Sequence, residues 1–233
     1  MNCTNIFFDG LLHLLYPKVC AGCGSDLVGK DQLICVQCIN MLPVTNFLGK
    51  AGNPVEKIFW GRLPIEAAAA LMYFTKRSVI QNLLHELKYK GNRGVGEYFG
   101  RLMGKQLKAC ERFAGVDALV PLPLYYKKEK KRGYNQAAVI CEGISETMGK
   151  PMLKNVIERK MKTETQTRKS RLERWENIDG KFELTGRDRI ANKHLLLVDD
   201  VITTGATLEA CGAELLKGEH VRLSVVSLAY TTL

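Results

Sequence analysis

Leu195-Leu196-Leu197-Val198-Asp199-Asp200-Val201-Ile202-Thr203-Thr204-Gly205-Ala206-Thr207 is the stretch whose reading decides the fold. With His194 before it, the first part is a continuous apolar run ending in two aspartates. A strand that is apolar at every position is buried on both faces, as in parallel sheets covered by helices. Such a strand delivers Asp199 and Asp200 to the carboxyl edge of the sheet, where open α/β folds take their ligands. A turn rich in threonine and glycine then opens a helix predicted over Thr207–Lys217. Free N–H groups at that helix start, with the hydroxyls of Thr203, Thr204 and Thr207, predict a phosphate cradle reinforced by the helix dipole. Gly205 lets the backbone approach a phosphate without a Cβ. The carboxylates then stand where they can bind vicinal hydroxyls or a hydrated Mg²⁺. A sugar phosphate suits this layout. The plainer reading, a capped helix after a core strand, does not need two adjacent aspartates.

Outward from this unit, strands and helices alternate, which predicts a mostly parallel sheet wrapped by helices. Ala67–Phe74 is read as a strand on the strength of Leu71, Met72, Tyr73 and Phe74, although its alanines also suit a helix. Val79–Lys88 and Val95–Phe113 have helical periodicity and are separated by the breaker Gly91-Asn92-Arg93-Gly94. Asp117–Pro121 and Val156–Lys160 read as strands, and Asn135 as the cap of a helix reaching Met148. Met161–Gly180 is polar throughout. Val221–Tyr230 is the final strand. Residues 4–16 read as a short helix with Phe8, Leu11, Leu12 and Leu15 on one face. The predicted organisation is a helix and ribbon over 1–45, a linker over 46–64 with its glycines and prolines, and one domain over 65–233.

The ribbon rests on cysteine spacing. Cys20-x-x-Cys23 and Cys35-x-x-Cys38 are two knuckles eleven residues apart, while Cys3, Cys110, Cys141 and Cys211 are scattered. Two such knuckles can bring four thiolates around one Zn²⁺. A four-thiolate set leaves no open position for a catalytic water, so the expected role is a staple. The scattered cysteines read as buried thiols in a reducing compartment. The 233 residues suit one α/β domain with an appendage, and 46% hydrophobic with 25% charged content excludes wholesale disorder. No apolar stretch reaches the roughly 20 residues of a membrane-spanning helix. Residues 6–15 are interrupted by Asp9 and His13 and lack a basic leader, so a cytoplasmic protein without an integral membrane segment is expected. A formal charge of +10 favours nucleic acid, a polyphosphate or an acidic membrane face as partner, or amounts to a solvated lysine surface.

The apolar run, Asp199-Asp200 and Thr203–Thr207 resemble the phosphoribosyl-pyrophosphate (PRPP) signature of type I phosphoribosyltransferases. The ribbon, Leu87-Lys88-Tyr89-Lys90-Gly91, Pro121-Leu122-Pro123-Leu124, Arg132-Gly133-Tyr134-Asn135-Gln136, and Gln166-Thr167 through Arg171, Arg174 and Asn177 follow in the order of the ComF (ComFC) family. These are competence-associated, amidophosphoribosyltransferase-like proteins, and the resemblance spans nearly the whole chain. It implies that Asp199 and Asp200 face the ribose hydroxyls of Mg²⁺-PRPP. It implies also that Thr203, Thr204, Gly205, Ala206 and Thr207 hold the 5′-phosphate. The turn after Pro123, with Leu124, Tyr125 and Arg132, takes the place of the pyrophosphate loop, where amides and cations neutralise a leaving group. Lys127, Lys128, Lys130 and Lys131 read more plainly as a solvated basic loop.

Thr163–Asn177 stands where these enzymes carry a mobile lid. Arg168, Lys169, Arg171 and Arg174 could there grip phosphates; equally the loop, with Gln166 in it, could bind single-stranded DNA, its arginines on phosphates and Trp175 or Tyr134 stacking on a base. The resemblance implies a role in DNA uptake and natural transformation, with single-stranded DNA and DNA-uptake proteins as partners. The alternative is an active phosphoribosyltransferase acting on a nucleobase or amine.

Overall fold

The computed structural model describes residues 18–26, 28–29, 32–159 and 182–232. The expected helix over 4–16 and the arginine-rich stretch 163–177, including Gln166, Arg168, Arg171, Arg174 and Trp175, lie outside the described residues. The sheet is built from β1 (Ala67–Phe74), β2 (Ala118–Pro121), β5 (His194–Ile202) and β6 (Arg222–Thr231), and its order is β1-β6-β5-β2. All three pairings are parallel. Leu195, Leu196, Leu197 and Val198 are fully buried. Successive side chains on a strand point to opposite faces, so both faces of β5 are covered. The alanines of β1 are buried as well, and the strand reading of 67–74 holds.

Each edge of the sheet is shielded by a short bridge, which blunts the exposed ladder. At β1, Val44 bridges Met72 and the Tyr73 amide donates to the Pro43 carbonyl at 2.8 Å. At β2, Met152 bridges Leu119.

Helix α3 (Val79–Tyr89) is capped by Ser78, and α4 (Arg93–Lys108) begins inside the predicted breaker. A single 3₁₀ turn follows over Glu111–Phe113. Asn135 caps α6 (Gln136–Met148), its Oδ1 accepting from the Ala137 amide. Helices α4 and α6 lie unusually close. A Cβ on Gly100 would stand 2.3 Å from the Ile140 carbonyl oxygen, and one on Gly143 would stand 2.5 Å from that of Glu97. Glycine is therefore a packing requirement at this crossing. Helix α8 (Ala206–Leu215) packs on β5 and on a small antiparallel hairpin, β3 (Ile157–Arg159) with β4 (Phe182–Leu184). The predicted strand near 156–160 thus exists but stands outside the main sheet. A short helix, α7 (Arg187–Ile190), leads into β5.

Two segments depart from expectation. Residues 46–64, expected as a linker, are built into the domain. Asn53 caps α2 (Pro54–Phe59) through its Oδ1 and donates its Nδ2 to the Ala68 carbonyl of β1 at 2.7 Å. Val55, Phe59 and Leu63 are buried, and the Glu56 carboxylate, 7% exposed, pairs with Arg112. Lys127–Arg132, expected as a basic loop, lies within a helix, α5 (Tyr126–Arg132), closed by Gly133 at φ 82°. No helix among the described residues is long and apolar enough to cross a membrane.

Candidate functional site

The carboxyl edge of the sheet gathers the predicted phosphate loop and both aspartates. Strand β5 runs on past Asp199 and Asp200 to Ile202, so the backbone at the two aspartates is held between ladder pairs, Asp199 opposite Ser227 and Val201 opposite Ala229. Asp199 and Thr203 through Thr207 line one small cleft of about 50 Å³. Thr203, Thr204 and Thr207 are exposed within it, while Gly205 is buried. The start of α8 carries no cap from Gly205, and its first amide, that of Ala206, donates only at 3.5 Å to Thr204 Oγ1; an anion is favoured at a helix start by its free amides and by the helix dipole. Gly205 has φ 75°, and a Cβ there would meet Ile58 Cγ2 at 2.5 Å. Its need is thus conformational and is set by α2 lying over the loop.

The two carboxylates differ in surroundings. Burial, then the charge of Asp200, push Asp199 up to about 8, against smaller opposing effects of the Asp200 amide, Lys88 and Arg159. The Asp199 Oδ1 accepts from the Asp200 amide at 2.7 Å. Asp200 is paired instead with Lys88, Nζ to Oδ1 2.9 Å. Lys88 and Arg159 are site residues to which the sequence reading gave no role. The signal for Lys88 lay in Leu87-Lys88-Tyr89, where a lysine follows a buried position on a helix that abuts the sheet edge.

The loop after Pro121 begins beside β5, the Leu122 amide donating to the Val198 carbonyl at 2.9 Å. Asn135 Nδ2 donates to the Leu122 carbonyl at 2.9 Å and fixes this turn to the start of α6. Tyr125 is the residue that enters α5, and Leu124 lines a cavity of about 310 Å³ between this loop and β3. Arg132 donates to Gln136 Oε1 at 2.7 Å and stands 5.4 Å over the Tyr89 ring, joining α5 to α3. Tyr134 is engaged as well: its hydroxyl donates to the Leu87 carbonyl at 2.5 Å and the Arg93 guanidinium covers its ring at 5.3 Å.

The cysteines converge. The Sγ atoms of Cys20, Cys23, Cys35 and Cys38 all lie within 4.8 Å of one another, and Cys23 and Cys35 are 3.9 Å apart. A tetrahedron with metal–sulfur bonds of about 2.3 Å has sulfur–sulfur edges of about 3.8 Å, so the cluster fits a four-thiolate ion. Backbone amides of Gly22 and Cys35 aim at Cys20 Sγ, and that of Cys38 at Cys35 Sγ. Hydrogen bonds from Ser25, with smaller help from Cys38, bring Cys23 down to about 6, while burial pushes Cys38 well up. The second knuckle opens a short helix, α1 (Val36–Asn40), capped by Cys35. Asn82 of α3 donates to the Gly22 carbonyl at 2.7 Å, and Cys20, Ile34 and Cys38 belong to the same apolar core as the sheet. Of the other cysteines, Cys141 and Cys211 are buried and Cys110 is half-buried.

No protein-family model matches the chain. Competence protein F of Haemophilus influenzae (strain ATCC 51907 / DSM 11121 / KW20 / Rd) is 27% identical over 212 residues, 89% of this chain and 88% of that protein. DNA utilization protein YhgH of Escherichia coli (strain K12) is 27% identical over 224 residues, 94% of this chain and 93% of that protein. Competence protein ComFC of Bacillus subtilis (strain 168) is 32% identical over 47% of this chain and 43% of that protein. Among solved structures, the chain is similar to the glutamine PRPP amidotransferase from B. subtilis complexed with ADP and GMP. That likeness has 18% identity and a TM-score of 0.41, and covers 60% of this chain and 30% of that one. It is similar also to the adenine phosphoribosyltransferase from Leishmania tarentolae, with 8% identity and a TM-score of 0.39 over 78% of this chain and 89% of that one. The fold is defined by the strand order β1-β6-β5-β2 and the β5–loop–α8 unit. With its parallel sheet and four-cysteine cluster, this chain is a homologue of competence protein F and YhgH along about nine-tenths of its length, and of ComFC along about half of it.

Proposed function

We propose that the protein binds Mg²⁺-PRPP at the end of β5 and handles single-stranded DNA during uptake, with Zn²⁺ held by Cys20, Cys23, Cys35 and Cys38 as a structural ion. The observation that carries the PRPP reading is the single cleft shared by Asp199 and Thr203–Thr207 at the carboxyl edge of a parallel sheet. In this reading the α8 amides and the threonine hydroxyls take the 5′-phosphate, and Asp199 and Asp200 accept from the ribose hydroxyls. Lys88 releases Asp200 as the diol enters. Mg²⁺, when bound, neutralises the pyrophosphate. The DNA reading is supported by the +10 charge and by relatives whose names are competence and DNA utilization proteins.

Radiolabelled PRPP retained by the protein with Mg²⁺ tests the pocket. Asp200→Asn is expected to lose at least nine-tenths of the retained label while melting as the parent does. Retention unchanged in that variant contradicts the assignment. A second reading, phosphoribosyl transfer to a nucleobase or amine, draws on the cavity of about 310 Å³ beside the Pro121–Tyr125 turn. Pyrophosphate release that depends on an added acceptor would establish it.

A further inference from the structure

Beside the cleft, an aromatic and cationic surface joins α3 to α5. Tyr89 is 64% exposed at the end of α3. The exposed His85 sits one turn before it with ring centroids 5.0 Å apart, and the Arg132 guanidinium lies 5.4 Å from the same tyrosine ring. From Arg132 the surface continues along α5, none of whose residues is buried. At the helical turn of about 100° per residue, Lys127, Lys128, Lys130 and Lys131 fan over about 160° of that helix, with Glu129 on the other side. All four are exposed. A second exposed aromatic, Tyr126 at 48%, stands at the start of α5. In the other direction, a cleft runs between α3 and the first cysteine knuckle and is lined by His85, Lys90, Asn92 and Gly22. Its one carboxylate, Glu86, is paired with Lys90 at 2.8 Å.

A clustered His–Tyr–Arg group at the surface, its two rings tilted 45° to each other and continued by a lysine face, suits a ligand with flat bases and a regular negative backbone. Neither an acidic peptide nor a lipid headgroup offers both. Duplex DNA offers the charge but hides its base faces. We infer that His85, Tyr89 and Arg132 form a base-stacking platform for single-stranded nucleic acid, and that the lysine face of α5 tracks the phosphates leading to it. The inference rests on the DNA reading of the previous section and places the strand on α3 and α5.

Fluorescence anisotropy with a labelled twenty-residue oligo-dT and a duplex of equal length, over a series of salt concentrations, tests it. Tyr89→Ala is expected to weaken oligo-dT binding about tenfold, within the range for loss of one base–aromatic stack. Tyr89→Phe is expected to leave it unchanged, and Tyr89→Ala to leave duplex binding unchanged. Replacing the four lysines by glutamine is expected to make the slope of log K against log salt shallower by about 3. All these side chains are exposed, so unchanged melting serves as the control for folding. If the parent binds oligo-dT and both sets of variants bind it equally well, the platform is refuted while the DNA reading stands. If the parent binds no oligo-dT, the DNA reading itself fails and the platform with it. Binding to phosphatidylserine vesicles in place of oligo-dT would assign the surface to a membrane and overturn the inference.

Discussion

Asp199 and Asp200 are neighbours in sequence that face different environments. Asp200 has Lys88 at 2.9 Å; Asp199 is half-buried beside it, and desolvation of its carboxylate with the neighbouring charge lifts it to about 8. Between the ordinary carboxyl range and about 8, the folded chain holds a proton on Asp199 that the unfolded chain has released. Folding stability from this group is therefore full below about pH 4 and is lost as pH rises through about 8. Asp199→Asn removes that dependence. Its melting temperature is expected to gain on the parent's as pH rises from 5 to 9, and a difference independent of pH over that range would contradict the burial argument. The same residues mark a limit of the sequence. Two adjacent aspartates after an apolar run announce a ligand edge, because no core strand needs them. Their inequality was not legible, since it comes from Lys88, which reaches Asp200 from more than 100 positions earlier in the chain.

At the scale of elements, the legible parts were those with local causes. The continuous apolar run of β5 signals cover on both faces, and Asn135 signals a helix start because its side chain can accept from the second helical amide. Helix α5 is hidden in the sequence because lysines have no periodicity to display, yet Gly133 closes it in the left-handed region as a helix stop. The 46–64 segment was read as a linker from its glycines and prolines, although Asn53-Pro54 is a cap followed by proline at the first helical position, a start signal in its own right. The Gly96, Gly100 and Gly104 series on α4 is a further local signal. Glycines spaced by four lie on one helix face, and here that face receives α6 with Gly143 opposite. Gly100→Ala would force a Cβ to 2.3 Å from the Ile140 carbonyl oxygen. It is expected to cost about 2–3 kcal/mol by forcing the helices apart, despite the better helix propensity of alanine. Urea denaturation checks this, and a neutral or stabilising result would refute the close crossing.

For the whole molecule, the cysteine knuckles and the sheet share one apolar core rather than standing as separate bodies. Asn82 ties α3 to Gly22, α3 sends Lys88 to Asp200, and α2 lies over Gly205. The segment before β1 thus covers the ligand edge. Loss of the zinc proposed for this cluster is therefore expected to be felt by the entire domain. Stripping zinc with a chelator, or substituting Cys35→Ser, is expected to lower the single melting transition. A small separate transition with the main one unmoved would instead make the knuckles an independent module. If this edge is a working PRPP pocket, calorimetric titration of Mg²⁺-PRPP into the zinc-loaded protein gives saturable binding at one site per chain, abolished in Asp200→Asn. No heat of binding in a folded, zinc-loaded protein would contradict it.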